Sequence, residues 1–241
     1  MESAEETAAP RRVTEKEAGA DTRTLSEQAY ERLRRDILQG AYVPGEKLLL
    51  DTASDRYGIG INPIREALNR LSSEGWVERK SQRGFFVSSL SITDLEELVR
   101  TRIWLETRAL EESIRNATDA WEDRLVLAYH RLARTQRQLG ENRCEISQLW
   151  EDRHRAFHMM LIENCGSGWL TGFCATMLDQ SVRYRNLSVN ATYSRRGDAQ
   201  KEHQEIQDAV LDRDAARATG LLAAHYRQTL EGIRRVLGED S

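Results

Sequence analysis

The sequence predicts a mainly α-helical protein: an N-terminal winged helix-turn-helix with a small β-hairpin, then a C-terminal all-α bundle of about six to seven helices. Three observations predict it. Between Leu25 and Val87 the order is helix, short helix, tight turn, helix, hairpin, a unit whose second turn-linked helix fits the major groove of B-DNA. From Thr93 onward the apolar residues recur at helical spacing, and most connections are short. The 241 residues are 39% hydrophobic, enough for a core.

Each element has its own signal. Residues 1–22 are polar with no periodic apolar face, so a disordered tail is expected. Leu25, Ala29, Leu33 and Ile37 recur every fourth residue, with Ser26 as the expected N-cap and Gly40 as the stop. Pro44-Gly45 marks a turn, and "DTASDRYG" is a short helix closed by Gly58. In "GINPIREALNRL" Asn62 is the expected cap and Pro63 the first helical residue. Ile64, Ala67, Leu68 and Leu71 form its inward face, while Arg65, Glu66, Asn69 and Arg70 point away. Trp76–Glu78 and Phe85–Val87 are β-prone runs around a polar turn. Expected bundle helices cover 93–117, 119–139, 142–165, 167–187, 198–212 and 214–237, with "SVNATYSRRG" as the long connection. The expected domains are therefore 23–90 and 91–238.

Composition excludes some classes. No apolar run approaches the roughly 18 residues of a membrane span, and the N-terminus has no apolar segment of a secretory signal. Cys144, Cys165 and Cys174 are odd in number and lack CxxC spacing, so free buried thiols are expected. Net charge is −4, which by itself does not suggest nucleic acid. Only residues 23–90 are positive, with eleven Lys/Arg against nine Asp/Glu. No nucleophile elbow or phosphate-cradling glycine loop is present, which argues against an enzyme.

The histidines carry the chemistry. His154 and His158 are four apart on one expected helix, at the edge of the face formed by Ile146, Trp150, Phe157 and Leu161. His203 lies in the stripe Ala199, His203, Ile206, Val210, and His225 in Ala218, Leu221, Leu222, His225. A single such histidine is usually a satisfied core residue. Four neutral imidazoles from three helices are harder to bury without a partner, and a divalent transition metal is one. His130 falls on a surface face. The stretch "HRAFH" lacks the Glu of the His-Glu-x-x-His peptidase motif.

Here the residues match a known pattern. "AYERLRRDILQGAYVPGEKL", "YGIGINPIREALNRLSSEGWVERKSQRGFFV", "TRIWLETRAL", "HRAFHMMLIENCGSGWL", "RYR" and "EHQEIQDAVLDRDAARATGLLAAH" occur in that order. Over about residues 25–235 the chain resembles GntR-type bacterial transcription regulators with an all-helical FCD effector domain. The run from "HRAFH" to "RYR" looks most like the carbon-starvation-induced repressor branch, whose members respond to glutarate and control its breakdown. The resemblance implies a DNA-binding homodimer in the bacterial cytoplasm, on the nucleoid, with a palindromic operator and a small carboxylate effector. It implies a buried metal on an Asp or similar residue and three His. Here His154 stands in the Asp position, with His158, His203 and His225 as the others. An all-imidazole set favours zinc, with nickel or copper as alternatives, over magnesium or calcium. It implies Arg102 as the carboxylate-holding residue, against a plain surface pair with Glu106 at i+4. Asn164, Arg183 and Arg185 are weaker pocket candidates.

The expected DNA-contacting set is Arg34, Asn62, Pro63, Arg65, Asn69, Arg83 and Gly84. The family start of this helix is commonly Ser-Arg-Thr-Pro, where this chain has Gly60-Ile61-Asn62-Pro63, and Asp51 stands where relatives often carry an Arg. Loss of those arginines implies a different operator, read mainly by Arg65 and Asn69. Two other functions compete: a sensor whose signal is the metal itself, and a metal-dependent hydrolase with an accessory DNA-binding domain.

Overall fold

The computed structural model describes residues 23–139, 145–189 and 198–238. The expected tail at 1–22, most of "SVNATYSRRG", and Cys144 lie outside the described residues.

The first unit comprises α1 (Leu25–Leu38), β1 (Lys47–Leu48), α2 (Leu50–Tyr57), α3 (Ile61–Ser73), β2 (Val77–Lys80) and β3 (Gly84–Val87). Ala29, Leu33 and Ile37 of α1 are buried, and so are Ile64, Ala67, Leu68 and Leu71 of α3. They share one core with Trp76, Val77, Phe85 and Val87. Burial of these stripes drives the helices together, since short helices hold little stability alone. Gly58 closes α2 at φ 64°, a left-handed position that favours glycine. The wing has three strands, not two: β1 adds to the hairpin in the order β1-β3-β2, all antiparallel. A two-residue strand carries no periodicity, so the sequence did not announce it.

Two caps differ from expectation. Thr24, not Ser26, caps α1, in a capping box with Glu27. Ser26 instead donates to Glu66 on α3, at 2.5 Å. Gly60 is the N-cap of α3, which places Asn62 and Pro63 second and third in the helix. Proline is tolerated there because the first-turn N–H groups have no intrahelical partner. Asn62 accepts from Arg65 at 3.4 Å instead of capping.

The second unit is helical apart from one two-stranded ladder: α4 (Ile92–Arg115), α5 (Asp119–Ala133), α6 (Gln148–Ile162), α7 (Gly168–Val189), α8 (Asp198–Leu211) and α9 (Ala215–Gly238). Helix α4 runs along α9 and α7, while α5 packs on α6 and α8 on α9. Leu95, Leu110, Trp121, Leu125, Phe157, Leu161 and Leu222 lie in its core. The expected helices 119–139 and 142–165 are shorter. Between them β4 (Gln138–Leu139) pairs antiparallel with β5 (Glu145–Ile146). Polar residues after Leu132 give α5 no apolar face to continue on, and Arg153 takes the freed Arg131 carbonyl at 2.9 Å. Ser147 then caps α6, so Ile146 precedes that helix. Cys165 and Cys174 are free and buried, as expected.

The two units meet along α7. Asp179 pairs with Arg34 of α1 at 3.0 Å, and Gln180 donates to the Glu74 carbonyl at 2.7 Å. Arg183 donates to the Ser88 carbonyl, and Asn186 to that of Leu38.

Leu68 is 0% exposed at the centre of the first core. Leu68→Ala is expected to cost about 2–5 kcal/mol. The urea-unfolding midpoint should fall at unchanged slope, and a midpoint within error of the parent would contradict this packing.

Candidate functional site

Three helices bring four imidazoles to one point. His154 and His158 are one turn apart on α6, at about 40° around its axis, so both face the bundle core with Phe157 and Leu161. His203 comes from α8 and His225 from α9. All four are buried, and one ring nitrogen from each falls within 4.8 Å of the others. The Nε2 of His158 is 3.1 Å from that of His154 and 3.3 Å from that of His203. Burial holds His154, His158 and His203 well below the usual imidazole range. Neighbouring imidazoles and the guanidinium of Arg185 add to that effect. They are therefore neutral near pH 7, with lone pairs to offer.

The cluster fits a transition metal. An ion at about 2.0–2.1 Å from each nitrogen in tetrahedral array spaces the nitrogens about 3.3–3.4 Å apart, close to the two short separations. The outer ring nitrogens are held as metal-bound histidines usually are. His225 Nδ1 meets Glu202 at 2.6 Å, His158 Nδ1 meets the Tyr226 hydroxyl at 3.1 Å, and His203 bonds the Ala199 backbone. His154 stacks on Trp150 with ring centres 4.6 Å apart, and its buried Nδ1 has no hydrogen-bond partner among the described residues.

The cluster opens on a cavity of about 480 Å³, lined also by Arg102, Ser181, Arg185 and Tyr226. Arg102 is 4% exposed and pairs with Glu106 through Nε at 2.6 Å and Nη2 at 3.3 Å. The i+4 pair read from the sequence therefore exists, but it is buried. Burial pushes the Arg102 guanidinium down, and Glu106 more than offsets this, so the group stays charged. Arg185 pairs with Glu151 at 2.9 Å, also buried. The Nη1 atoms of both arginines reach one acceptor, Ser181 Oγ, at 3.0 and 2.9 Å.

Two expected pocket residues lie elsewhere. Asn164 sits beyond the end of α6 and binds the Ser113 and Asn116 carbonyls at the end of α4. Unsatisfied helix-terminal carbonyls draw its amide there. Arg183 lies over Trp76 at 5.6 Å and holds Ser88 at the seam between the units. It is two residues from Ser181 on a helix, so it faces another side. Ser181, Tyr226 and Glu202 were missed. Tyr226 and Glu202 each adjoin a cluster histidine in sequence, which was a usable signal; Ser181 had none.

The second candidate surface is the outer face of α3 with the wing. Asn62, Arg65 and Asn69 are exposed on α3, and Pro63 is partly so. Arg83 and Gly84 are exposed at the wing, where Gly84 has φ 95°. Lys47 and Lys80, not singled out in the sequence, join Arg83 around the Phe86 ring. Arg34 is a correction: it pairs with Asp179 and lies 5.0 Å over Trp76, turned to the second unit. No helix among the described residues is long and apolar enough to cross a membrane.

A winged helix-turn-helix joined to a helical bundle is the architecture of a DNA-binding regulator. Residues 25–87 match the model of bacterial regulatory proteins of the gntR family, and residues 97–228 match the FCD domain. The chain belongs to the gntR family of regulators with an FCD domain. It is 35% identical to the HTH-type transcriptional regulator BphR of Paraburkholderia xenovorans (strain LB400), over 90% of this chain and 88% of the relative. It is 31% identical to the HTH-type transcriptional repressor GlaR of Escherichia coli (strain K12), over 86% and 95%. A putative GntR regulator from Rhodococcus sp. RHA1 shares the fold, with TM-score 0.70 and 19% identity over 88% of this chain and 97% of that one. These relatives are named as regulators, in keeping with a non-enzymatic role.

Arg65→Ala should weaken operator binding by about 1–3 kcal/mol, and Asn69→Ala should relax preference at one base position. Electrophoretic mobility titrations on parent and variant would show this. Unchanged binding by Arg65→Ala would refute the assigned face.

Proposed function

We propose that the protein is a cytoplasmic repressor whose hold on operator DNA is set by a small carboxylate bound beside a metal on His154, His158, His203 and His225. The observation that carries this is the convergence of four buried imidazoles beside a cavity that two buried arginines also line. Zinc suits four nitrogen ligands best, with nickel as the alternative. When bound, the ion supplies positive charge that four neutral ligands leave uncompensated, which favours an anion. Arg102 keeps Nε and Nη2 on Glu106 and turns Nη1 to the cavity; Arg185 keeps Nη2 on Glu151 and likewise turns Nη1 to Ser181. A carboxylate displacing Ser181 Oγ from these donors gains two charge-assisted hydrogen bonds. The two glutamates hold each guanidinium in place before the ligand arrives, so little ordering is lost on binding.

Two helices connect this cavity to the DNA-binding unit. Helix α4 carries Arg102 and follows directly on the wing. Helix α7 carries Ser181 and Arg185 toward the cavity and Asp179, Gln180, Arg183 and Asn186 toward the first unit. A ligand that favours one arrangement of these helices shifts DNA affinity by its differential affinity for the two states. The repressor sense is supported by the name of the relative from Escherichia coli. A homodimer on a palindromic operator fits a single recognition helix per chain. Trp104, Trp169 and Phe173 stand exposed on α4 and α7, a surface suited to a second copy.

A thermal-shift screen of short mono- and dicarboxylates, with and without a chelator, tests this. At least one acid should raise the melting temperature, and the chelator should abolish the shift. If no acid shifts it, the carboxylate proposal fails. If zinc re-addition alone restores or releases operator binding, the metal itself is the signal.

A further inference from the structure

Tyr226 and Glu106 connect His158 of the imidazole cluster to Arg102, and the chemistry above uses neither as a ligand. Both are buried, Glu106 at 1% and Tyr226 at 3% exposure. The Tyr226 hydroxyl contacts Glu106 Oε2 and His158 Nδ1, the latter at 3.1 Å. Glu106 is also the partner of Arg102, whose guanidinium lies 4.1 Å from the centre of the Tyr226 ring. One continuous chain of contacts therefore runs from Arg102 through Glu106 and Tyr226 to His158.

Proton bookkeeping gives this chain a direction. An ionised carboxylate only accepts, so Glu106 takes the N–H groups of Arg102 and the single hydroxyl proton of Tyr226. The phenol oxygen then has only lone pairs to offer His158. Nδ1 of His158 must carry the ring proton and donate it to Tyr226, which leaves Nε2 bare. That bare Nε2 is the atom 3.1 Å from His154 Nε2 and 3.3 Å from His203 Nε2. The tautomer a metal ligand needs is thus set by a residue that never touches the metal.

We propose that Tyr226 and Glu106 are positioning residues that present His158 to the metal and tie that ligand to the arginine reading the effector. The inference rests on the metal reading above and adds a coupling. An anion on Nη1 shares the charge of Arg102, which weakens the guanidinium's hold on Glu106 without breaking it and leaves Glu106 a stronger acceptor for Tyr226. Tyr226 then pulls harder on the His158 proton, and the ring becomes a better donor at Nε2. Anion binding and metal binding therefore reinforce each other, and the reinforcement is reciprocal.

The test is zinc affinity, read by competition with a chromophoric chelator, on the full chain and on Tyr226→Phe. Phenylalanine keeps the ring and its packing and removes only the hydroxyl. The expected result is a loss of zinc affinity of about 10–100-fold, together with a lower metal-free melting temperature because Glu106 and His158 each lose a buried partner. A two-bond nitrogen–proton NMR spectrum of the metal-free protein should show His158 in the Nδ1–H form, and in mixed tautomers in the variant. Glu106→Gln, a second route should Tyr226→Phe fail to fold, keeps an acceptor but loses its charge and should weaken zinc binding less. If the parent binds zinc tightly and both variants match it, the positioning role is wrong while the metal site stands. If the parent does not bind zinc, the metal reading is wrong and this inference falls with it.

Discussion

Three of the four imidazoles packed inside this helical bundle commit their outer nitrogens to other residues, which leaves few donors for the lone pairs that face inward. Each neutral ring has one donor and one acceptor, and three of the inner nitrogens here meet at 3.1 and 3.3 Å. Buried polar groups without partners are costly, and a charged imidazole there would be more so. Surrounding residues answer this by tying the outer nitrogens of His158, His203 and His225 to Tyr226, Ala199 and Glu202. The inner nitrogens are left facing a shared centre. A cation held there would take up those lone pairs.

The two arginines repeat the logic with opposite charge. Arg102 and Arg185 are each buried against one glutamate, from α4 and α6 respectively. Such pairs add little net stability once desolvation is counted. What they do achieve is two guanidinium groups held still at one serine. Helix α7 owns that serine and Arg185, and its adjoining face grips α1 and the wing. The same helix is therefore a wall of the cavity and a bracket for the DNA-binding unit.

Much of this was legible in the sequence, because periodicity reports which face of a helix is buried. The stripe Ile64, Ala67, Leu68, Leu71 fixed which side of α3 meets water, and the spacing of the histidines fixed where they point. What periodicity cannot report is which distant element a charged residue meets. Arg34 sat on a helix of a DNA-binding unit, yet its partner is Asp179, far along the chain. Arg183 and Arg185 are neighbours in "RYR", but a helix turns them to the seam and to the cavity. Asn164 was read as pocket wall and caps a helix end instead. The ladder Gln138–Leu139 with Glu145–Ile146 was read as helix, since two-residue strands leave no pattern.

Cobalt(II) substitution is the most direct measurement of the central claim, because its visible spectrum reports ligand number and geometry. The account predicts one cobalt per chain, ligand-field bands of a nitrogen-rich site, and loss of those bands in His203→Ala. It further predicts that a short carboxylate added to the loaded protein shifts the bands, by approaching the ion from the cavity side. Cobalt bound without such bands, or bands untouched by His203→Ala, would contradict the account.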